Sequence, residues 1–279
     1  MDRRQVARGA VSFVPRGIIG VVHLPAMPGD PGAPLSFAAG REFALRDAVA
    51  WQEGGADALI VENFGSAPFP KGDARHRLPA HQVAQLALVV RGILDATDLP
   101  VGVNCLRNDA RSALGIAAST GASFVRVNVH TGAYVTDQGL IEGEADVSLR
   151  YRASLGAEVG ILADILVKHA HPLAPLTPTQ ATREALDRGR ADAVIVSGTG
   201  TGAPADLATL REAREAAGAR PVLLGSGLTP ERAAMQVPLV DAAIVGTYAK
   251  RGGVVGAPVE VERVRALVQA AAGRFYRDA

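Results

Sequence analysis

The chain has 279 residues, 48% apolar and 20% charged, enough for one α/β barrel of about 250 residues with a full core and too apolar for a disordered segment. A net charge of +1 argues against a nucleic-acid binder held by bulk electrostatics. Cys105 is the only cysteine, which excludes an internal disulfide, and no apolar run reaches the ~18 residues of a membrane span.

Residues 1–8 carry no long apolar stretch, so no signal peptide is expected and the cytoplasm is the expected address. Eight runs rich in Val, Ile and Leu then read as strands: 17–24, 58–64, 100–106, 124–130, 159–165, 193–198, 221–227 and 242–248. They are nearly continuous, as strands covered on both faces are. Helical spacing lies between them, as in Val83, Leu86, Val90 and Leu94, in Leu207, Leu210, Ala213 and Ala217, and in Val261, Val264 and Val268. Strand and helix alternating eight times predict a single-domain α/β fold of the (β/α)8 TIM-barrel type, with an open doubly wound sheet as the alternative. A loose repeat supports the barrel. Asp57, Asp192 and Asp241 each sit in a short turn before a strand, on the face that serves stability, and are assigned to structure.

Two connections are long. Pro25 to Leu35 follows the first strand and is stiffened by proline. Residues 65–79 follow the second, and read as a candidate lid, or as a crossover or subunit-contact loop. The tail from Gly273 reads as a frayed end.

Polar residues recur at the strand ends, where barrel enzymes build their sites. His23 closes the first run, Glu62 and Asn63 the second, Asn104 and Cys105 the third. Arg126, Asn128 and His130 alternate along the fourth and therefore share a face. Asp164 lies in the fifth, followed by Lys168, His169 and His171, and Ser197-Gly198-Thr-Gly-Thr-Gly202 closes the sixth. Each residue also has a plainer role: His23 as a satisfied core histidine, Glu62 and Asp164 as partners of Arg126 or Lys168 in a buried ionic network, Cys105 as a small core residue. Lys168 suits phosphate binding first, pairing with Asp164 second, and a Schiff base third. The histidines with Glu62 and Asp164 are also possible metal ligands.

Gly225-Ser226-Gly227-Leu-Thr229-Pro230 ends the seventh run, and Gly246-Thr247 ends the eighth. Glycines there let backbone N–H groups approach an anion, and Thr229-Pro230 suits a helix start. Two neighbouring glycine-ended tips form the phosphate cup expected of a barrel. The 198–202 loop has neither a dinucleotide fingerprint with its downstream acid nor a Walker lysine, so NAD and ATP are not expected.

In order along nearly the whole chain, Ile19-Gly-Val-Val-His-Leu-Pro-Ala-Met-Pro-Gly, Val61-Glu-Asn-Phe-Gly-Ser-Ala-Pro-Phe, Leu99-Pro-Val-Gly-Val-Asn, Arg126-Val-Asn, Asp164-Ile-Leu-Val-Lys-His-Ala-His-Pro-Leu, Val196-Ser-Gly-Thr-Gly-Thr-Gly and Gly225-Ser-Gly-Leu-Thr-Pro-Glu resemble the motifs of the BtpA family. The chain departs from the usual Ser-Gly-x-x-Thr-Gly pattern by Gly200. The resemblance implies a TIM barrel; some members of the family are tied to photosystem I accumulation, and others lie near sugar-uptake genes.

The function expected first is binding of a small phosphorylated metabolite, a sugar or ribosyl phosphate, with acid–base chemistry on it. Gly225, Ser226, Gly227, Gly246 and Thr247, with Ser197 and Gly198 beside them, would hold the phosphate. Glu62, Asp164 and His23 would serve as acid–base groups, and Asn104, Arg126, Asn128, His130 and Lys168 would orient the substrate. Isomerase, aldolase-type lyase and glycosidic-bond cleavage are the classes left open. The alternatives are a non-catalytic photosystem I biogenesis, assembly or regulatory factor, and a metal-dependent hydrolase. No cofactor is expected, a divalent metal being the less favoured case, and a homo-oligomer is expected.

Overall fold

The structure, a computed structural model, describes residues 13–33 and 36–276. The stretch 1–8 read for a signal peptide, Pro34 and Leu35 of the first long loop, and residues 277–279 of the tail lie outside the described residues. In chain order the strands are β1 (Gly17–His23), β2 (Ala58–Glu62), β3 (Val101–Asn104), β4 (Phe124–Val127), β5 (Ala133–Thr136), β6 (Gly139–Glu142), β7 (Gly160–Ile165), β8 (Ala170–Pro172), β9 (Ala193–Val196), β10 (Val222–Leu224) and β11 (Ala242–Val245). Eight of them close a parallel barrel in the order β1-β11-β10-β9-β7-β4-β3-β2. These are the eight apolar runs; β7 reaches its expected carboxyl end at Ile165, and the other seven stop short of theirs, as β4 does at Val127 rather than at residue 130.

A helix follows each barrel strand: α1 (Phe37–Glu53), α2 (Ala80–Ala96), α3 (Ala110–Thr120), α4 (Ala145–Ser154), α5 (Pro178–Arg183), α6 (Leu207–Ala217), α7 (Pro230–Gln236) and α8 (Val261–Ala271). The remaining strands form a small antiparallel sheet, β6-β5-β8. It is built from the connections that leave β4 and β7, over its own core of Val129, Tyr134, Ile141 and Val167. These strands are three or four residues long and mostly half-buried or exposed, so no continuous apolar run marks them as it marks the buried barrel strands of the same length.

Alternation along the strands sorts the apolar side chains into two cores. One set, including Ile19, Val21, Ile60, Phe124, Leu162, Ile195, Leu223 and Ile244, fills the barrel. The opposite set, including Val22, Val61, Val103, Val125, Ile161, Val194 and Val245, packs outward against the helices. Trp51 of α1 reaches β1 only because Gly20 has no side chain, since a Cβ there would lie 2.3 Å from the indole.

The three repeated aspartates share one task. Asp57 accepts from the amide of Ile18 at 2.7 Å, Asp192 from that of Ile161 at 2.8 Å, and Asp241 from that of Val222 at 2.9 Å. Each ties the turn before its own strand to the first amides of a neighbouring strand, at the end of the barrel opposite the carboxyl mouth. A backbone donor buried without a partner costs about 1–3 kcal/mol, so these residues are accounted for by stability. Asp47 of α1 does comparable work elsewhere, pairing with the fully buried Lys250 beyond β11.

Candidate functional site

The inward parity that fills the barrel continues upward into polar residues. Ile19 and Val21 lead to His23, Ile60 to Glu62, Gly102 to Asn104, Phe124 to Arg126, Leu162 to Asp164, Ile195 to Ser197, Leu223 to Gly225 and Ile244 to Gly246, always two residues on. Register places His23 beside Glu62 and Glu62 beside Asn104. The uppermost interior layer is therefore polar and glycine-rich, and it faces the carboxyl mouth.

On one side this layer is a hydrogen-bonded knot centred on Asp164. Arg126 Nε and Nη2 each donate to Asp164 at 2.9 Å, the bidentate fork geometry of a strong pair. Asn128 Nδ2 donates to Asp164 at 2.8 Å, and the Ser197 hydroxyl adds a contact at 3.3 Å. Asn104 Nδ2 donates to the Arg126 carbonyl at 3.1 Å and to Asn128 Oδ1 at 3.2 Å. Asp164 thus has both oxygens occupied and lines neither cavity at the mouth. Its expected acid–base role is revised accordingly: the carboxylate anchors Arg126, the ionic-network alternative, because no lone pair is left turned toward a ligand.

On the other side the strand tips are open. A cavity of about 220 Å³ is lined by His23, Glu62, Arg126, Lys168, Gly225, Ser226, Gly227, Gly246 and Thr247, among others. Gly246 sits against the imidazole, where a Cβ would come 2.3 Å from His23 Cε1. Gly227 has φ +78° and backs onto Ala203, whose carbonyl would meet a Cβ at 2.4 Å. The Ser226 hydroxyl donates to the Ala203 carbonyl at 3.0 Å and accepts from the Gly198 amide at 3.3 Å, so it binds the loops after β9 and β10 together. Thr229 occupies the N-cap of α7 but makes no capping hydrogen bond.

A second cavity, of about 470 Å³, adjoins the first. Its wall includes Phe64, Phe69, Leu106, Arg107 and Asn128, and it shares Glu62, Lys168 and Thr201 with the first. The 65–79 loop, read as a lid or contact loop, is here a pinned wall. Arg77 pairs with Asp109 at 3.2 Å and with Glu144 at 2.6 Å, and the Arg107 amide donates to Pro70 at 3.0 Å. Asp30 of the first long loop accepts from the Ser66 hydroxyl at 2.7 Å and fastens the two loops to each other.

Several expected residues are not brought to the mouth. The pleat of β4 ends at Val127, so His130 leaves the shared face and its Nε2 meets the Gly189 carbonyl at 2.8 Å, away from both cavities. Ser197 and Gly198 lie behind the cavity walls, tied to Asp164 and Ser226. His171 is exposed on β8, while His169 lines the second cavity with its Nε2 3.3 Å from the Thr201 hydroxyl. Among the described residues no three His, Cys, Asp or Glu side chains converge as metal ligands, and no helix is long and apolar enough to cross a membrane. Cys105 is buried, and burial followed by the Asp109 charge pushes its thiol well above the usual value, as suits a core residue. Phe64, Phe69 and Arg107 are the residues at the mouth that spacing alone does not single out.

The match to known proteins is extensive. A model of the BtpA family covers residues 15–273. The chain belongs to the BtpA family. It is 43% identical over 255 residues to the photosystem I biogenesis protein BtpA of Synechocystis sp., over 91% of this chain and 88% of that one. The barrel is shared with N-(5'-phosphoribosyl)anthranilate isomerase from Pyrococcus furiosus, at TM-score 0.55 and 14% identity over 92% of this chain and 98% of that one. It is likewise shared with thiamine phosphate pyrophosphorylase from Pyrococcus furiosus, at TM-score 0.54 and 14% identity over 92% and 97%.

The electrostatics of this BtpA-family mouth are set by burial. Burial first, then the charges of Lys250, Lys168 and Arg126, hold the His23 imidazole well below its ordinary value. A neutral His23 therefore faces Glu62 across 3.9 Å. Burial, then Arg126, lowers the Lys168 ammonium, and burial also lowers His130. A histidine whose folded pKa is depressed contributes stability above its unfolded value of about 6.5, and that stability is lost as pH falls toward the folded value. Urea midpoints should therefore drop between about pH 7 and about pH 5. His130→Gln, which lies outside the cavities, should reduce the drop; an unchanged slope would show that His130 takes up its proton equally in the folded and the unfolded chain.

Proposed function

We propose that the chain binds a small phosphorylated ligand, a sugar or ribosyl phosphate, at the barrel mouth and acts on it by acid–base chemistry. The observation that carries this reading is one cavity that brings the glycine-ended tips together with His23, Glu62 and Lys168. β10 and β11 are the seventh and eighth barrel strands, and the loops after those two strands are where barrel enzymes most often hold phosphate. The two solved relatives in fold have phosphorylated compounds in their names, which fits the same reading. In it, backbone amides from Ser226 to Leu228 and at Gly246, with the Thr247 hydroxyl, take the phosphate, the Gly225 amide being held by the Val196 carbonyl. Glu62 moves the proton, His23 is its neutral neighbour, and the Lys168 cation offsets negative charge that develops on the substrate. Arg126, in the first cavity, and Asn128, in the second, orient the substrate.

A thermal-shift screen with inorganic phosphate and a panel of sugar phosphates tests the binding. A ligand at 100 times its Kd stabilises the folded state by about 2.7 kcal/mol, several degrees of melting temperature for a chain of this size. Thr247 is half-buried, so Thr247→Asp should fold while placing a negative charge against the phosphate. It is expected to abolish the shift, and Thr247→Asn to keep most of it. A shift that survives Thr247→Asp places the anion elsewhere.

The second reading is a non-catalytic assembly factor, favoured by the 43% identity to a photosystem I biogenesis protein. A panel that produces no shift at all would leave that reading ahead. With either reading we propose a cytoplasmic homo-oligomer, which light scattering on the purified protein would contradict by returning the monomer mass.

A further inference from the structure

Arg107 is a buried cation that the proposed phosphate chemistry leaves without a task. Its side chain is 5% exposed yet borders the second cavity. Among the described residues its guanidinium donates one hydrogen bond, from Nη2 to the Lys168 carbonyl at 2.8 Å, and no carboxylate lies within ion-pair range. A guanidinium has five N–H donors in a rigid fork matched to a planar acid, and a buried charge without a partner is costly. Burial lowers the Arg107 pKa, and the charges of Asp164, Asp137 and Glu62, all beyond ion-pair range, offset part of that.

The backbone that carries it is held on both sides. Asn63 accepts from the Leu106 amide at 2.7 Å and donates to the Leu106 carbonyl at 3.3 Å, and the Arg107 amide donates to Pro70 at 3.0 Å. Asn108 then exchanges two 2.8 Å hydrogen bonds with the backbone of Val129. The guanidinium thus springs from a pre-positioned segment, the condition under which a fork recognises its partner with little ordering cost. Phe64, Phe69 and Leu106 give the same cavity an apolar wall. At about 470 Å³ it is the size of a small-molecule pocket, whereas about 220 Å³ for its neighbour suits a phosphate and a few more atoms.

We propose that the second cavity receives a flat apolar group bearing a carboxylate, with the carboxylate on Arg107 and the apolar face on Phe64, Phe69 and Leu106. Resting on the phosphate reading for its other end, this makes the substrate a phosphate ester with an acidic, apolar or aromatic far end. The bond between the two ends then lies at Glu62 and Lys168, which with Thr201 are common to both cavities. Asp137 at the rim and Glu62 at the junction disfavour a second negative charge elsewhere on the far group.

Ligand-observed NMR titrations of the full chain with sodium benzoate, benzamide and inorganic phosphate test this. Benzoate is expected to bind at least tenfold more tightly than benzamide. Arg107→Met should weaken benzoate at least tenfold and leave phosphate unchanged, and Thr247→Asp should do the reverse. Phe69 is half-buried in a loop, so Phe69→Asp provides a second variant should Arg107→Met not fold, and it too should weaken benzoate at least tenfold. Benzoate that does not bind, that binds no better than benzamide, or that is indifferent to whichever of these variants folds overturns the proposal. Benzoate that obeys Arg107 while phosphate fails to bind supports the acidic far end and removes the phosphate reading instead.

Discussion

Asp164→Ala is expected to lower the stability of the protein by about 3–5 kcal/mol, the usual cost of leaving one member of a buried ion pair behind. For a chain of this size that is a fall in melting temperature on the order of 10 °C. The large figure follows from what the carboxylate holds. Arg126 is 3% exposed and donates two hydrogen bonds of 2.9 Å to Asp164, while Asn128 and Ser197 also bond to the same carboxylate. Removing it strands a guanidinium and an amide in the buried upper layer of the barrel, where only the cavity edge of Arg126 is within reach of water. Asp164→Asn, which keeps the shape and one acceptor, should lose distinctly less. Pairing the change with Arg126→Met should recover part of the loss, because the stranded charge goes as well. Urea unfolding of the four proteins measures this. If Asp164→Ala melts within about 1 kcal/mol of the parent, the carboxylate is not the anchor described, and an acid–base role for it would regain ground.

How much of this could be read in the sequence depended on parity. Ile19, Val21 and His23 follow one another at intervals of two, as do Ile60 and Glu62, or Ile244 and Gly246. A strand buried on both faces hides its inward set among its outward set, but the polar residue at its tip reveals the parity of the whole run. That is why His23, Glu62, Asn104, Arg126 and Asp164 were recognisable as one layer, and why the barrel followed from eight such runs. The logic fails where the pleat ends. His130 has the parity of Arg126 and Asn128, yet three residues beyond Val127 the chain has turned away and the histidine meets Gly189.

Arg107 failed for a related reason. The third run was read through residue 106, but β3 ends at Asn104, so a residue that looks like the start of a loop stands directly over the mouth. The cue was present in a basic residue three positions after a strand tip. Its burial, however, is imposed by Asn63, Pro70 and Val129, contacts between segments distant in sequence that no local pattern encodes. The small β6-β5-β8 sheet belongs to the same class, its strands mostly half-buried or exposed and without an apolar run, and held by pairings such as Val135 with His171.

Glu62→Gln is the substitution expected to separate chemistry from binding. Glu62 lines both cavities and, among the described residues, takes no hydrogen bond from the protein, with His23 Nε2 standing 3.9 Å from its carboxylate. A carboxylate so placed is at the junction of the two halves of any ligand that fills both cavities, and it is unencumbered. Asp164 is spent on Arg126, and His23 is held neutral by burial and by the cations around it. The glutamine is nearly isosteric, so stability should stay within about 0.5 kcal/mol of the parent. The thermal shift produced by a phosphorylated ligand should persist, since the glycine tips are untouched. Turnover of that ligand should fall by about 10²–10⁴-fold, the usual contribution of a positioned acid or base. Lys168→Met should instead weaken both binding and turnover, because a cation at the junction acts on bound substrate and developing charge alike. If Glu62→Gln leaves turnover intact, the proton is moved by another group. If the parent converts none of the phosphorylated compounds that bind to it, the barrel mouth holds its ligand without chemistry, as an assembly or regulatory factor would.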